Sequence, residues 1–298
     1  IIWLDMKTKG IILAAGKGTR LMPATIPASK PLLPLYDKPM IYYPLETLIR
    51  LGIKDILFIV QEDDLLIFKK TFGSGSDVGL NFSYEIQNVQ RGIADAYFIA
   101  DKYLDGSPSV LALSDNIFLG KKYFDYANSA LLKMQDLGGS VFGLPVPDPE
   151  KFGVIELDEN NNIIGIEEKP SKPKSNLIIP GFYFFDSDAS EYAKTLKPSN
   201  RGELEITDLI EIYLSKKKLA LEILDNSIIW HDTGNANALL EAAQKVKLYE
   251  ENNELKIGSY EIASFEKGFI NKNELNNIAE KLIKSDYGKY IKEYLTNI

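Results

Sequence analysis

The chain has 298 residues, 45% of them hydrophobic, with 42 acidic against 34 basic side chains and a formal net charge of −8. That length and apolar content allow a large core, as one α/β domain or one with an appended subdomain, and exclude a disordered chain. The acidic balance excludes a general nucleic-acid surface, which needs clustered Lys and Arg; the absence of cysteine excludes disulfides, thiolate metal sites and a Cys nucleophile.

Ile1 to Asp5 is apolar but lacks a basic leader and is too short for a signal segment, so Met6 reads as the true start. No stretch approaches a membrane span, and a reducing, cytoplasmic setting is expected. Gly10 to Ala15 is the first apolar run, and it leads into Gly16-Lys17-Gly18-Thr19-Arg20. Such a turn places backbone N–H groups and one guanidinium around a polyphosphate. A P-loop is rejected, because five residues rather than four separate Gly10 from Gly16 and a glycine follows Lys17. A dinucleotide fingerprint is rejected because Leu21 stands where its third glycine belongs. A second placed cation, Lys30, follows in Ser29-Lys30-Pro31-Leu32-Leu33-Pro34.

An amphipathic helix is expected from Pro39 to Leu51, closed by Gly52, and another from Ile93 to Leu104. Asp55 to Val60, Val110 to Leu113 and Ser140 to Leu144 are continuous apolar runs, the pattern of strands buried on both faces. This alternation predicts an α/β fold: a doubly wound, Rossmann-like mixed sheet with helices on both faces and ligands beyond the carboxyl ends of its strands. From Phe152 the pattern changes to a hairpin, Val154 to Leu157 and Ile163 to Glu168, then a long strand from Leu177 to Phe185. A helix from Leu204 to Leu214, strands at Leu219 to Leu224 and Ile228 to His231, and a helix from Ala236 to Tyr249 follow. The tail, Glu250 to Ile298, carries two helix patterns, near Glu274 to Lys284 and Tyr287 to Tyr294. Their apolar residues, such as Leu275, Ile278, Leu282, Tyr290, Ile291 and Leu295, form a face that packs on the body or on another subunit.

Residues 9 to 45, including Leu35-Tyr36-Asp37-Lys38-Pro39-Met40-Ile41-Tyr42-Tyr43-Pro44-Leu45, resemble the opening of the sugar-1-phosphate nucleotidylyltransferases. Further matches occur in the same order: Leu113-Ser114-Asp115-Asn116, Glu167-Glu168-Lys169-Pro170, Arg201-Gly202-Glu203-Leu204-Glu205-Ile206-Thr207-Asp208 and Trp230-His231-Asp232-Thr233-Gly234. The resemblance covers almost the whole chain. It implies a catalytic domain over residues 6–249, with a nucleotide-binding part at about 9–145 and a sugar-phosphate-binding part at about 146–235, and a helical segment at 250–298 for assembly and regulation. It implies Mg²⁺-dependent transfer from dTTP to glucose 1-phosphate, giving dTDP-glucose and pyrophosphate at the start of deoxysugar synthesis. It also implies a homotetramer inhibited by a dTDP-sugar end product. The alternatives are UTP or another hexose 1-phosphate as substrate, and an idle sensing or scaffold protein on the same fold.

Attack of one phosphate on another brings two anions together, so the chemistry needs placed cations. Arg20 and Lys30 suit the pyrophosphate side, a planar fork beside a point charge. The resemblance adds Leu13, Ala15, Gly16, Gly18 and Thr19 to the nucleotide cradle and assigns the base to Gln87 and Gly92. An amide both donates and accepts, which matches the N3–H and O4 edge of thymine or uracil; Gln87 by itself reads equally as a loop residue. Asp115 and Asp232 lie at the ends of apolar runs, and the resemblance implies that they are a metal pair; two carboxylates converging on one spot would hold Mg²⁺ with room for waters and phosphate oxygens. Asp115 alone is equally a helix cap or turn residue.

By resemblance, Glu168 holds sugar hydroxyls, Lys169 and Arg201 grip the 1-phosphate, and Gly153 and Gly181 are points of close approach to the sugar. The plainer reading is a charged strand end with ordinary turns. His231, the sole histidine, is expected to pack rather than ligate. Pro31 stands where dTTP-using members usually carry Gln, which loosens the substrate assignment rather than the reaction class. The presence of Arg20, Lys30, Asp115 and Asp232 together speaks against an idle scaffold, and Leu21 speaks against a nicotinamide-dependent oxidoreductase.

Overall fold

A computed structural model describes residues 7–298; the apolar start and the Met6 reading lie outside the described residues. The glycine-led run becomes β1 (Lys9–Leu13), followed by β2 (Pro34–Leu35), β3 (Lys38–Pro39) and α1 (Tyr42–Arg50). The helix starts later than its periodicity suggests because Pro39 pairs with Pro34 in the β2–β3 ribbon, while Pro44 falls in the first helical turn, where a missing N–H costs nothing. Next come β4 (Asp55–Val60), α2 (Leu65–Phe72), β5 (Asn81–Ile86), α3 (Asp95–Leu104) and β6 (Ser109–Leu113). Strands β6, β1, β4 and β5 lie side by side and parallel, with Ile11 opposite Leu57 on one side and Leu111 on the other. Both faces of the central strands are covered, which is why β1, β4 and β6 are largely apolar while the edge strand β5 carries Asn81, Ser83 and Glu85: Leu48 of α1 and Phe68 of α2 pack with Phe58 on one face, and Tyr97 of α3 packs with Ile11 on the other.

Then follow β7 (Asn116–Leu119), α4 (Tyr123–Leu137), β8 (Gly139–Pro145), β9 (Gly153–Leu157), β10 (Ile163–Glu168), β11 (Leu177–Ile178) and β12 (Phe182–Phe185). Strand β12 inserts antiparallel between β6 and β8, whereas β11 pairs with β8 and β9, so the ten-stranded sheet is mixed. The long strand expected from Leu177 to Phe185 is broken at Pro180-Gly181. Pro180 has no N–H for a ladder, the Phe182 N–H turns back onto the Pro180 carbonyl at 2.7 Å, and Gly181 lies so near Asn116 that a methyl group there would sit 2.7 Å from Asn116 Nδ2.

The last part of the body is α5 (Ala189–Ala193), α6 (Ile206–Ser215), β13 (Leu219–Ile223), β14 (Ile229–Asp232) and α7 (Ala236–Asn253). Strand β13 runs parallel to β8. Strands β14 and β7 form a separate antiparallel ribbon with Asp232 opposite Asn116. No helix among the described residues is long and apolar enough to cross a membrane.

The tail holds α8 (Tyr260–Glu266), α9 (Lys272–Leu282) and α10 (Asp286–Thr296). Leu275, Ile291 and Leu295 pack with Ile262 of α8 in a small core of their own, while Leu282 remains exposed. The tail meets the body through buried charge. Lys38, 4% exposed, donates to Asp37 and to Glu250 at 3.1 Å, Lys256 reaches Glu250 at 2.9 Å, and Glu46 of α1 accepts from the Gly258 N–H at 2.5 Å. Deeper in this joint, Glu261 is enclosed and accepts from the Tyr287 hydroxyl at 2.5 Å, and burial pushes its pKa from 4.5 up to about 7. A carboxyl whose folded pKa is raised favours the native state in its protonated form, so this contribution is present at low pH and lost as pH rises through about 7. Glu261→Gln is therefore expected to match wild type near about pH 4 and to be more stable at about pH 8, by on the order of 2 kcal/mol. Thermal melts of both proteins at the two pH values check this; parallel pH profiles would relieve Glu261 of the role.

Candidate active site

Where β1 ends, the Ala14 N–H is still held by the Ile59 carbonyl at 2.8 Å, and the chain then swings away through Gly16 and Gly18. Gly18 has φ +60, and a methyl group there would lie 2.8 Å from Thr25 Cγ2, so glycine meets both a conformational and a steric demand. The single 3-10 turn that follows, Thr19–Leu21, presents Arg20 to solvent. A second such turn, Lys30–Leu32, begins with Lys30 and carries Pro31 in its first positions, where no N–H is needed. Together these turns wall a cavity of about 320 Å³ lined by Leu13, Gly16, Gly18, Thr19, Arg20 and Lys30, with Asp115 across from them. Ala15 is buried behind this wall, and its carbonyl accepts from Gln90 Nε2 at 2.7 Å. Gln90 also lines the cavity, a position the sequence did not distinguish from its loop neighbours.

Asp115 follows β6, and β7 comes directly after it, so no helix is there for it to cap. The Ser114 N–H is bonded to the Leu13 carbonyl at 3.2 Å, which ties the ends of β6 and β1 together. Thr233 brings in the distant carboxylate: its N–H and hydroxyl both donate to the Asp115 carbonyl, at 3.3 and 3.1 Å. Lys30, 7% exposed, forms an ion pair with the Asp115 carboxylate. Burial raises the pKa of Asp232, the Asp115 charge raises it further, and Lys30, Arg20 and Lys169 oppose both effects. The five side chains therefore share one electrostatic field. Gly234 lies among them: a methyl group there would sit 3.2 Å from Arg20 Nη2 and 3.3 Å from each Asp232 oxygen.

The pair fits a hard divalent cation. Two carboxylates alone would leave coordination places for water and phosphate oxygens, as Mg²⁺ prefers; among the described residues no group of three or more His, Cys, Asp or Glu side chains is placed to hold a metal by itself. Asn116 locks the neighbourhood. Its Oδ1 accepts from Trp230 Nε1 at 2.8 Å and from the Gly181 N–H at 3.1 Å, while its Nδ2 donates to Asp115 Oδ1 at 3.1 Å. His231 points to the other face of β14 from Asp232, as strand alternation requires; burial lowers its pKa, and Glu241 and Lys245 of α7 are the charges it feels.

On the other half of the cleft, Glu168 ends β10 opposite Gly153 at the start of β9. A methyl group on Gly153 would lie 2.7 Å from Thr207 Cγ2 and 3.3 Å from Glu168 Oε2. Lys169 adopts φ +45 while its N–H bonds the Phe152 carbonyl at 3.0 Å, a left-handed geometry that costs a β-carbon residue about 1 kcal/mol. Lys169 Nζ and Arg201 Nη1 stand 3.5 and 3.4 Å from the same Glu168 oxygen. Burial raises the Glu168 pKa, and Lys169 offsets part of that.

Gln87 and Gly92 lie outside the first cavity. The Gln87 N–H bonds the Val60 carbonyl at 2.9 Å, so Gln87 sits at the carboxyl ends of β4 and β5. It lines a neighbouring hollow of about 310 Å³ with Asn88, Arg91 and Asp95. Gly92, at φ +107, passes the Leu204 carbonyl so closely that a methyl group would lie 2.3 Å from it. The Leu204 N–H donates to the Arg91 carbonyl and the Leu204 carbonyl accepts from the Ala94 N–H at 3.2 Å, which fastens the loop after β5 to the segment that carries Arg201.

A glycine turn at the end of a central parallel strand, faced by two carboxylates and flanked by cations on both halves of the cleft, defines an enzyme of nucleotidyl transfer. The family model for nucleotidyl transferases matches residues 9–248, and the chain belongs to that family. Its relatives include glucose-1-phosphate thymidylyltransferase of Xanthomonas campestris pv. campestris, 46% identical over 283 residues that make up 95% of each chain. The enzyme of the same name from Neisseria gonorrhoeae is 44% identical over 95% of this chain and 98% of its own. A solved structure from Bacillus anthracis assigned to that enzyme, in complex with a sucrose, superposes with a TM-score of 0.73 at 36% identity, over 80% of this chain and 94% of that one. A UDP-glucose pyrophosphorylase complexed with UDP-glucose shares the fold, with a TM-score of 0.71 at 24% identity over 83% of this chain and 100% of that one.

Proposed function

We propose that the chain transfers a thymidylyl group from dTTP to glucose 1-phosphate, releasing pyrophosphate. The observation that carries this reading is the meeting of Asp115, Asp232, Lys30 and Arg20 between a glycine turn on one side and the Glu168, Lys169 and Arg201 cluster on the other. The relatives' names supply the two substrates.

In this reading the glycine turn, Thr19 and Arg20 hold the β- and γ-phosphates, and Lys30 leaves Asp115 to meet the phosphate chain. Lys169 and Arg201 hold the sugar phosphate so that one of its oxygens faces the α-phosphorus in line with the departing pyrophosphate. Glu168, already an acceptor for Thr207, accepts from sugar hydroxyls. A phosphorus–oxygen bond forms, the α–β bond breaks, and the electron pair leaves on pyrophosphate. Mg²⁺ on Asp115 and Asp232 would supply positive charge for the phosphate oxygens as negative charge shifts between them.

A pyrophosphate-release assay with dTTP, UTP, dCTP and dATP, each with and without glucose 1-phosphate, tests the reading. Release is expected with dTTP only when the sugar phosphate is present; it should stop with a chelator and return with Mg²⁺. Release that ignores glucose 1-phosphate, or none with any nucleotide, would sink it, whereas preference for UTP would change the base and leave the class.

A further inference from the structure

The hollow beside Gln87 contains a second polar residue that the transfer chemistry does not use. Asp95 opens α3 and is 1% exposed. Its Oδ1 accepts from Arg91 Nη2 at 2.6 Å and its Oδ2 accepts from Gln87 Nε2 at 2.9 Å. A carboxylate paired with a guanidinium at a helix N-terminus is an acceptor on both oxygens. The Gln87 group facing Asp95 must therefore be the amide nitrogen, since the amide oxygen turned that way would meet an oxygen.

Gln87 is 5% exposed, its backbone is fixed to β4, and no protein group among the described residues donates to its Oε1. With one N–H held by Asp95, the amide shows the hollow its oxygen and its remaining N–H in one fixed order. That order suits a ring N–H flanked by a carbonyl, the edge of thymine and uracil. It opposes the reverse edge of cytosine, where the ring nitrogen accepts and the exocyclic amine donates. The location suits a base as well. The phosphate cradle lies at the end of β1 and Gln87 at the end of β5, with β4 between them, which is two strand spacings or about 10 Å across the same edge of the sheet.

The geometry points to Asp95 as the residue that sets nucleobase selectivity, acting as a positioning group that fixes the orientation of the Gln87 amide. This rests on the proposed function, in which Gln87 reads the base. In Asp95→Asn, the Asn oxygen stays with Arg91 and its amine faces Gln87, so Gln87 turns over and presents the complement of cytosine.

The experiment measures kcat/KM for dTTP and dCTP with glucose 1-phosphate in wild type, Asp95→Asn, Asp95→Ala and Gln87→Leu. In Asp95→Asn the dTTP-to-dCTP ratio is expected to fall by about 10- to 100-fold, with kcat/KM for dCTP rising above its wild-type value. A purely structural role for Asp95 cannot produce that rise. Asp95→Ala frees the amide to take either orientation, so the ratio moves toward parity; this smaller side chain carries the test if Asp95→Asn does not fold. Equal losses for both nucleotides in the Asp95 variants, while Gln87→Leu changes the ratio, would overturn the positioning role alone. A wild-type ratio in Gln87→Leu would remove Gln87 as base reader, and the inference with it.

Discussion

Asp115→Asn and Asp232→Asn are each expected to reduce kcat by about 10³-fold or more, and the double variant to lose little beyond either single one. Two carboxylates that hold one cation act as a unit, so the second loss removes what the first has already disabled. The two variants should differ in stability. Asp232 has its pKa raised by burial and by the Asp115 charge, so its ionised form works against folding above the ordinary carboxylate range, and Asp232→Asn should melt at or above the wild-type temperature near neutral pH. Asp115 is the partner of buried Lys30, and Asp115→Asn breaks that ion pair and leaves only the Asp232 charge near the ammonium, so this variant should melt below wild type. Turnover, Mg²⁺ titration and melting curves together check this. Near wild-type turnover in either single variant, or multiplicative losses in the double, would dismantle the shared metal site.

Arg20→Ala and Lys169→Ala should divide the two substrates between them. Arg20→Ala is expected to weaken dTTP binding and to lower kcat by about 10²- to 10³-fold, because in the proposed function the guanidinium faces charge that grows on the leaving pyrophosphate. Lys169→Ala should act mainly on glucose 1-phosphate, weakening it by about 10²-fold. Arg201→Ala should act on the same substrate but less strongly, since Arg201 divides its contacts among Glu168, Glu203 and Glu205. Calorimetry with each ligand alone separates these effects. Equal weakening of both ligands in all three variants would describe an unspecialised basic patch.

The central strands were legible in the sequence because burial on both faces leaves continuous apolar runs. The runs at Gly10, Asp55, Val110 and Ser140 became β1, β4, β6 and β8 with ends shifted by a residue or two. Less was legible where packing over distance overrides local pattern. The seven residues of α8 are mostly buried and so show no polar face, α4 buries Ala127 and Ala130 where a larger apolar stripe would have announced it, and the break at Pro180 depends on Asn116 from another strand. At the site, Arg20 and Lys30 stood out by residue type and spacing after the glycine turn, whereas Asp115 and Asp232, 117 positions apart, were paired only through the resemblance. Gln90, Asn116 and Asp95 did not stand out, because their parts depend on which atoms they face. Asn116 bonds its neighbour Asp115 and two distant segments, at Gly181 and Trp230, and nothing in the local sequence signals the distant pair.

Thr233 and the carbonyl it grips are 118 positions apart. During synthesis, a nascent chain that has emerged as far as β12 already has its glycine turn, Arg20, Lys30 and Asp115, yet Asp232 and the ribbon that positions it are still to come. Chemical competence is therefore a property of the finished body of the chain. A prematurely terminated product would carry Asp115 without Asp232, half of the carboxylate pair on which the proposed transfer depends.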